Sequence, residues 1–294
     1  MKHKGLFWGI LGVSIVVGGV LVVLGLAMGG QLGNVSNVHA LVDRKDGGNT
    51  MIQEGDHMAG SEGESYLNSK DIKKLDFNLA AGDINITMGD EFAISGSKIL
   101  SEVRDDGKTW YLESPKRKWY HFLSNRVSGD WEITIPRNYR FEEINLSFAA
   151  ADLDVDGLWA KDVTIHGGAG AADIQNLKVD QSLDLKIAAG ELNVDSSEVT
   201  GDCQLDCGAG ELDMELSKME GRLNANCGMG QIALTLPGDR GNYKINSQAA
   251  MGQVQVDGGK DDGQHDGQHD EKLDIRADLD LTCGMGQITV GFDH

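Results

Sequence analysis

The sequence predicts an all-β fold: a β-solenoid with coils of about 20 residues, preceded by one N-terminal transmembrane helix and a flexible linker. Three observations lead there. A corner of small residues followed by Asp, Glu or Gln recurs eight times; each corner opens a run in which apolar and polar residues alternate; and residues 5–28 form a 24-residue run whose single polar member is Ser14. Alternation with period two is the signature of a strand with one buried face, and a fixed repeat near 20 residues is that of stacked coils.

The N-terminal tip, residues 1–4, carries Lys2 and Lys4. The run that follows reaches roughly 36 Å as a helix, enough to span a ~30 Å hydrocarbon core. A cleaved signal has a shorter apolar region of about 7–15 residues, so an uncleaved anchor is expected. With two lysines before the run and Asp43 the first charge after it, the N-terminus is expected in the cytoplasm and the remainder outside the cell membrane. Residues 29–69 mix Gly, Ser, Asn and acids without sustained periodicity, the composition of a tether. As a coil it holds the folded part roughly 35 Å from the bilayer.

Residues 70–293 carry the repeats NLAAGDINI (78–86), SFAAADLDV (147–155), GAGAADIQN (168–176), KIAAGELNV (186–194), DCGAGELDM (206–214), NCGMGQIAL (226–234), QAAMGQVQV (248–256) and TCGMGQITV (282–290). Anchored on the polar residue they fall at 83, 152, 173, 191, 211, 231, 253 and 287. Four inward columns follow: Cys207, Cys227, Ala249 and Cys283; Ala209, Met229, Met251 and Met285; Leu212, Ile232, Val254 and Ile288; Met214, Leu234, Val256 and Val290. The corner glycines Gly190, Gly210, Gly230, Gly252 and Gly286 suit either positive φ or close approach between coils. Nine of the 17 aromatic residues lie between Trp110 and Phe148, too bulky for a thin core, so a cap and hairpin insertion is expected at 91–145. A second insertion, an acidic loop, occupies 258–272.

The G-[DE]-[ILV] corners, and the stretch WEITIPRNYRFEEINLSFAAADLDV in which a strand, a proline and a polar turn lead into the first corner, resemble a bacterial family of candidate adhesins, a domain of unknown function. The resemblance covers about residues 71–293. It implies a β-solenoid, a single N-terminal membrane anchor and no established catalytic residues. The last three corners depart from the family pattern, with Gln231, Gln253 and Gln287 in place of an acid.

Composition narrows the chemistry. The net charge of −20 repels phosphate backbones and anionic lipid, which excludes nucleic acid as an expected partner. The sequence contains neither a G-x-S-x-G nucleophile elbow nor HExxH, and GGAGAAD (167–173) is followed by strand periodicity, not by the helix a dinucleotide loop needs. Cys203 and Cys207 stand about 13 Å apart along one strand, too far to pair, whereas Cys207 and Cys227 stack within bonding distance; buried free thiols are the expected state. His265 and His269 among Asp262, Asp266 and Asp270 have the donor types of a divalent-metal site, against the simpler reading of a solvated loop. Asp83, Asp152, Asp173, Glu191 and Glu211 read as an outward ladder of carboxylates, solvated or bridged by calcium. The basic cluster PKRKWYHFLSNR (115–126) offers Lys116, Arg117, Lys118, Trp119 and Tyr120 as a surface contact, or protects a sheet edge.

The function expected from these features is non-catalytic: a membrane-anchored extracytoplasmic binding, adhesion or scaffold module. Its partners would be the membrane through the N-terminal helix and a cell-wall polymer, a host surface or another envelope protein. The alternative is a regulatory or sensing subunit of a membrane complex that responds to cell-envelope stress. A more distant reading is a carbohydrate-active β-helix using wall carboxylates and calcium.

Overall fold

The computed structural model describes residues 65–66, 71–96, 100–104, 108–113, 130–257, 259–261 and 276–293. The helix expected at 5–28, most of the linker and the acidic loop lie outside them. Among the described residues no helix is long and apolar enough to cross a membrane. The strands are β1 (Ser65–Tyr66), β2 (Lys74–Gly89), β3 (Ala93–Gly96), β4 (Leu100–Arg104), β5 (Thr109–Glu113), β6 (Asp130–Pro136), β7 (Arg140–Asp156), β8 (Trp159–Gly167), β9 (Ala171–Gln175) and β10 (Lys178–Ile187). They continue with β11 (Glu191–Val199), β12 (Asp202–Cys207), β13 (Glu211–Met219), β14 (Gly221–Cys227), β15 (Gln231–Pro237), β16 (Tyr243–Ala249), β17 (Gln253–Val256), β18 (Gly259–Asp261), β19 (Ala277–Cys283) and β20 (Gln287–Asp293).

These strands build two parallel walls that share one core. The first wall runs β5, the first half of β2, the first half of β7, β8, β10, β12, β14, β19 and β16. The second runs β6, the second half of β2, the second half of β7, β9, β11, β13, β15, β20 and β17. Each strand of the central coils matches its neighbour 20 residues on, as in Leu185 with Leu205 and Leu212 with Ile232, so like residues stack at ~4.8 Å. A solenoid-like all-β fold is therefore present.

The spatial order departs from the chain order at both ends. The last coil, β19 and β20, lies between the coil of β14 and β15 and the coil of β16 and β17. At the other end β2 lies between β5 and β6 on one side and β7 on the other. Each hop over an intervening coil follows a proline that closes its strand, Pro136 or Pro237, and uses a left-handed residue, Asn138 (φ 57°) or Gly238 (φ 85°). A tyrosine then ties the hop down: Tyr139 donates to the Ile72 carbonyl at 2.7 Å and Tyr243 to the Pro237 carbonyl at 2.7 Å. The segment expected as a cap divides. Thr109–Glu113 and Asp130–Pro136 form the outermost coil, and β4 and β3 add to it antiparallel. Trp110 is fully buried there, edge-on to Phe77 and Phe92; β18 adds antiparallel to β17 at the far end.

The columns Leu212, Ile232, Ile288, Val254 and Met214, Leu234, Val290, Val256 are buried as read from sequence, though the spatial order places Ile288 and Val290 third. Two columns need correction. Cys207, Cys227 and Cys283 are buried, but Ala249 on the terminal coil is exposed. Met229, Met285 and Met251 point outward, because they sit at the middle of three-residue corners where strand alternation is interrupted. The corner glycines are required by close approach and not by positive φ: a Cβ on Gly210 would stand 2.3 Å from the Gly190 carbonyl oxygen, and one on Gly230 would stand 2.1 Å from that of Gly210.

Candidate functional site

Parallel walls present their outward side chains as straight rows, so the chemistry of each face follows from which residue types occupy the outward parity. On the first wall acids and bases are mixed, and several of them pair. Lys74 meets Glu143 at 2.6 Å, and Lys186 meets Asp184 at 2.9 Å. Arg140 meets Asp180 at 2.6 Å, and Arg140 and Lys178 both approach the Trp159 ring. Burial pushes the Asp184 carboxyl up, and its contacts with His166 and Lys186 more than offset this, holding it below the usual carboxylate range.

The second wall is different in kind. From the corner through its first three outward rows the wall carries no Lys or Arg, Lys218 standing further on near the end of β13, while Asp130, Asp83, Asp152, Glu191 and Glu211 occupy the row beside the corner. The next outward row holds Glu132, Asp154, Asp173 and Asp213, and the third holds Asp156, Asp195 and Glu215. No ion pair among the described residues involves these carboxylates. Amides hold some of them in place: Asn193 donates to Asp173 at 2.8 Å and to Glu191 at 3.2 Å, and Asn176 to Asp156 at 2.7 Å. Burial and the neighbouring Asp195 charge raise the Asp213 carboxyl above its ordinary range. Along the corner the backbone itself is open, forming a shallow trough of about 550 Å³ floored by Gly170, Gly190, Gly210 and Gly230.

This register corrects the carboxylate ladder. Glu191 pairs with Ala171, and Asp173 lies one outward row further on, opposite Asn193. The ladder is thus broken at Ala171, with Asp173 displaced to the second row. No three His, Cys, Asp or Glu side chains among the described residues form a group that would hold a metal ion. The contact candidates Lys116, Arg117, Lys118, Trp119 and Tyr120, and the metal candidates His265, Asp266, His269 and Asp270, lie outside the described residues. What the sequence reading missed is the exclusion of bases from the three outward rows beside the corner, a signal carried by the parity of DLDVD (152–156) and ELDME (211–215).

The thiols are structural. Cys207 donates to the Gly210 carbonyl at 3.1 Å and Cys227 to that of Gly230 at 3.1 Å, each filling the space beneath a corner. All four cysteines are free and buried. The hydrogen bond with Cys207, aided by burial, pushes the Cys227 thiol up; burial does the same for Cys203 and Cys283, which keeps these groups protonated and unreactive.

No curated protein matches the sequence. Among solved structures, a candidate adhesin from Parabacteroides merdae is similar over 78% of this chain and 95% of its own, at 11% identity and a TM-score of 0.45. A candidate adhesin from Bacteroides fragilis is similar over 78% of this chain and 97% of its own, at 18% identity and a TM-score of 0.40. A candidate lipid binding protein from Parabacteroides distasonis covers 79% and 97%, at 11% identity and a TM-score of 0.35. The family model of Toastrack DUF4097 matches residues 66–282, most of the chain, and the protein belongs to that family.

Proposed function

We propose that the chain is a non-catalytic binding module, tethered to the outer side of the cell membrane by residues 5–28, whose second wall is the contact surface for a positively charged partner. One observation carries this reading: three adjacent outward rows of a parallel face hold a dozen carboxylates and no base, whereas the opposite face mixes acids with bases and several of its acids are ion-paired. Unpaired like charges on a rigid face cost stability through mutual repulsion. A partner carrying the opposite charge relieves that cost, and the regular rows give it many shallow contacts at once.

The test uses the full-length chain in nanodiscs of neutral lipid, with poly-L-lysine as probe and poly-L-glutamate as control. Poly-L-lysine is expected to bind, and binding should weaken steeply as salt shortens the screening length to ~8–10 Å and below. Neutralising Glu191, Glu211, Asp213 and Glu215 to the amides should lower affinity at least about tenfold. Neutralising Asp202, Glu220, Asp278 and Asp280, which lie off that wall, should leave it nearly unchanged. Equal losses in both variants would mean that total charge, and not the wall, governs binding, and would overturn the proposal.

A further inference from the structure

We infer that the three corner methionines Met229, Met285 and Met251 form a thioether site for a soft monovalent cation, Cu(I) or its analogue Ag(I). The described residues expose four large hydrophobic side chains, and all four are methionine: Met88 at 37%, Met229 at 36%, Met285 at 55% and Met251 at 79%. Met88 has a packing role, since its thioether covers Gly157, where an added Cβ would meet its Sδ at 2.5 Å. The other three stand in one file on consecutive coils. The backbone ladder holds them in step: Met285 N–H donates to the Gly228 carbonyl at 2.7 Å and Met251 N–H to that of Gly284 at 2.8 Å.

A greasy docking patch has no reason to exclude Leu, Phe and Trp, which bury more apolar surface with better defined rotamers. The common property of these side chains is sulfur, and thioether sulfur selects Cu(I) over hard divalent ions. Neighbouring coils stand ~4.8 Å apart, and three sulfurs at metal–sulfur bonds of about 2.3 Å lie about 4 Å from one another. The three rotatable bonds of methionine close that difference easily. The flanking row supports the same ion. Where coils further along the wall place Glu191 and Glu211, these three place Gln231, Gln287 and Gln253 in register. Carboxylates suited to Ca²⁺ or Mg²⁺ are thus absent from the position beside the sulfurs, while the acidic rows nearby raise the local concentration of any cation.

The experiment titrates the full-length chain, labelled with ¹³C-methyl methionine and held in neutral detergent micelles, with Ag(I). The methyl resonances of Met229, Met251 and Met285, assigned from the single Met→Leu variants, are expected to shift together and saturate at one ion per chain. Ca²⁺ is expected to move none of them. The triple variant M229L/M251L/M285L keeps the apolar surface and removes the sulfur; its melting temperature should stay within about 2 °C of wild type, with affinity for Cu(I) reduced at least a hundredfold. Movement of fewer than three resonances at one equivalent overturns the inference. So does a triple variant that binds as tightly as wild type, which would assign the ion to the buried thiols.

Discussion

Replacing Gly230 by alanine adds one methyl group at a residue whose φ is not positive, so its effect isolates the spacing between coils. The new Cβ would stand 2.1 Å from the Gly210 carbonyl oxygen and 2.8 Å from Cys207 Sγ. Cβ atoms essentially never approach within 3.0 Å, so the corner must open by at least about 0.9 Å. The hydrogen bond from Gln231 N–H to that same carbonyl, now 3.0 Å, would stretch to nearly 3.9 Å and cease to be one. Loss of this bond and of the adjacent Gly230 N–H to Gly208 bond at 3.1 Å, each worth about 1 kcal/mol, together with loosened packing above Cys207, gives a cost of about 2–4 kcal/mol. In a domain of this size that lowers the melting temperature by roughly 5–12 °C. The control is Gly291→Ala on β20, where the nearest atom, the Leu234 carbonyl oxygen, is 3.9 Å away. There the same methyl group should raise stability by about 0.5 kcal/mol through the unfolded chain. Thermal unfolding followed by circular dichroism compares the two. If the two variants shift equally, or if Gly230→Ala melts within 1 °C of wild type, coil spacing is not what fixes the corner glycines.

Three further outcomes follow from the same geometry. Leu212→Asp places an unpaired charge at a fully buried position of the wall and should cost several kcal/mol, while Glu211→Gln beside it should shift the melt by no more than about 1 °C; comparable losses would mean the two faces are exchanged. Ser197 is fully buried, accepts from Leu177 N–H at 3.1 Å and donates to the Asp195 carbonyl at 2.9 Å. Ser197→Ala should therefore cost about 1–3 kcal/mol and speed amide exchange at Leu177, and unchanged exchange there would count against it. The raised Asp213 carboxyl binds its proton more tightly in the folded state, so its contribution is unfavourable above its folded pKa and vanishes below the ordinary carboxylate value of 3.8. Asp213→Asn should raise stability at neutral pH by no more than about 0.5 kcal/mol after solvent screening, with no gain at pH 3; a loss at pH 7 would reverse the sign of the argument.

Much of the core was legible because strand alternation is local. Leu212, Met214 and Leu216 declare their common face within five residues, and the 20-residue period carries that parity to Ile232 and Leu234. Where alternation is interrupted, parity carries no information. Met229 looks like a core residue by type, yet it sits mid-corner between Gly228 and Gly230, with no strand on which to count. Asp173 was misplaced for a related reason. The coil at 168–176 inserts Ala171 and Ala172 between its corner and its acid, so aligning on acids slips the register by two, whereas Gly170, Gly190, Gly210 and Gly230 fall at even steps of 20. The order of the coils in space is a property of the connections. Nothing within Gln253–Val256 or Gln287–Asp293 says which will lie outermost; the hops after Pro136 and Pro237 decide it, and a single sequence read strand by strand does not weigh them. The three rows without bases were visible once parity was assigned, but only as a property of nine segments taken together.

The displaced order at the two ends has a consequence for how the molecule is made. Among the described residues, strands β16 and β17 dock onto the remaining coils only through β19 and β20, so a chain that stops near residue 276 loses two layers and not one. During synthesis, residues 243–256 leave the ribosome well before the strands that will hold them, and must wait for residues 277–293 to slide in between. At the start the outermost coil of β5 and β6 also attaches through β2, but β2 precedes both in the chain and is already present when they emerge. Closure of the end built by β16 and β17 is thus a late event. A prematurely terminated product would expose the unfilled edges of β14 and β15.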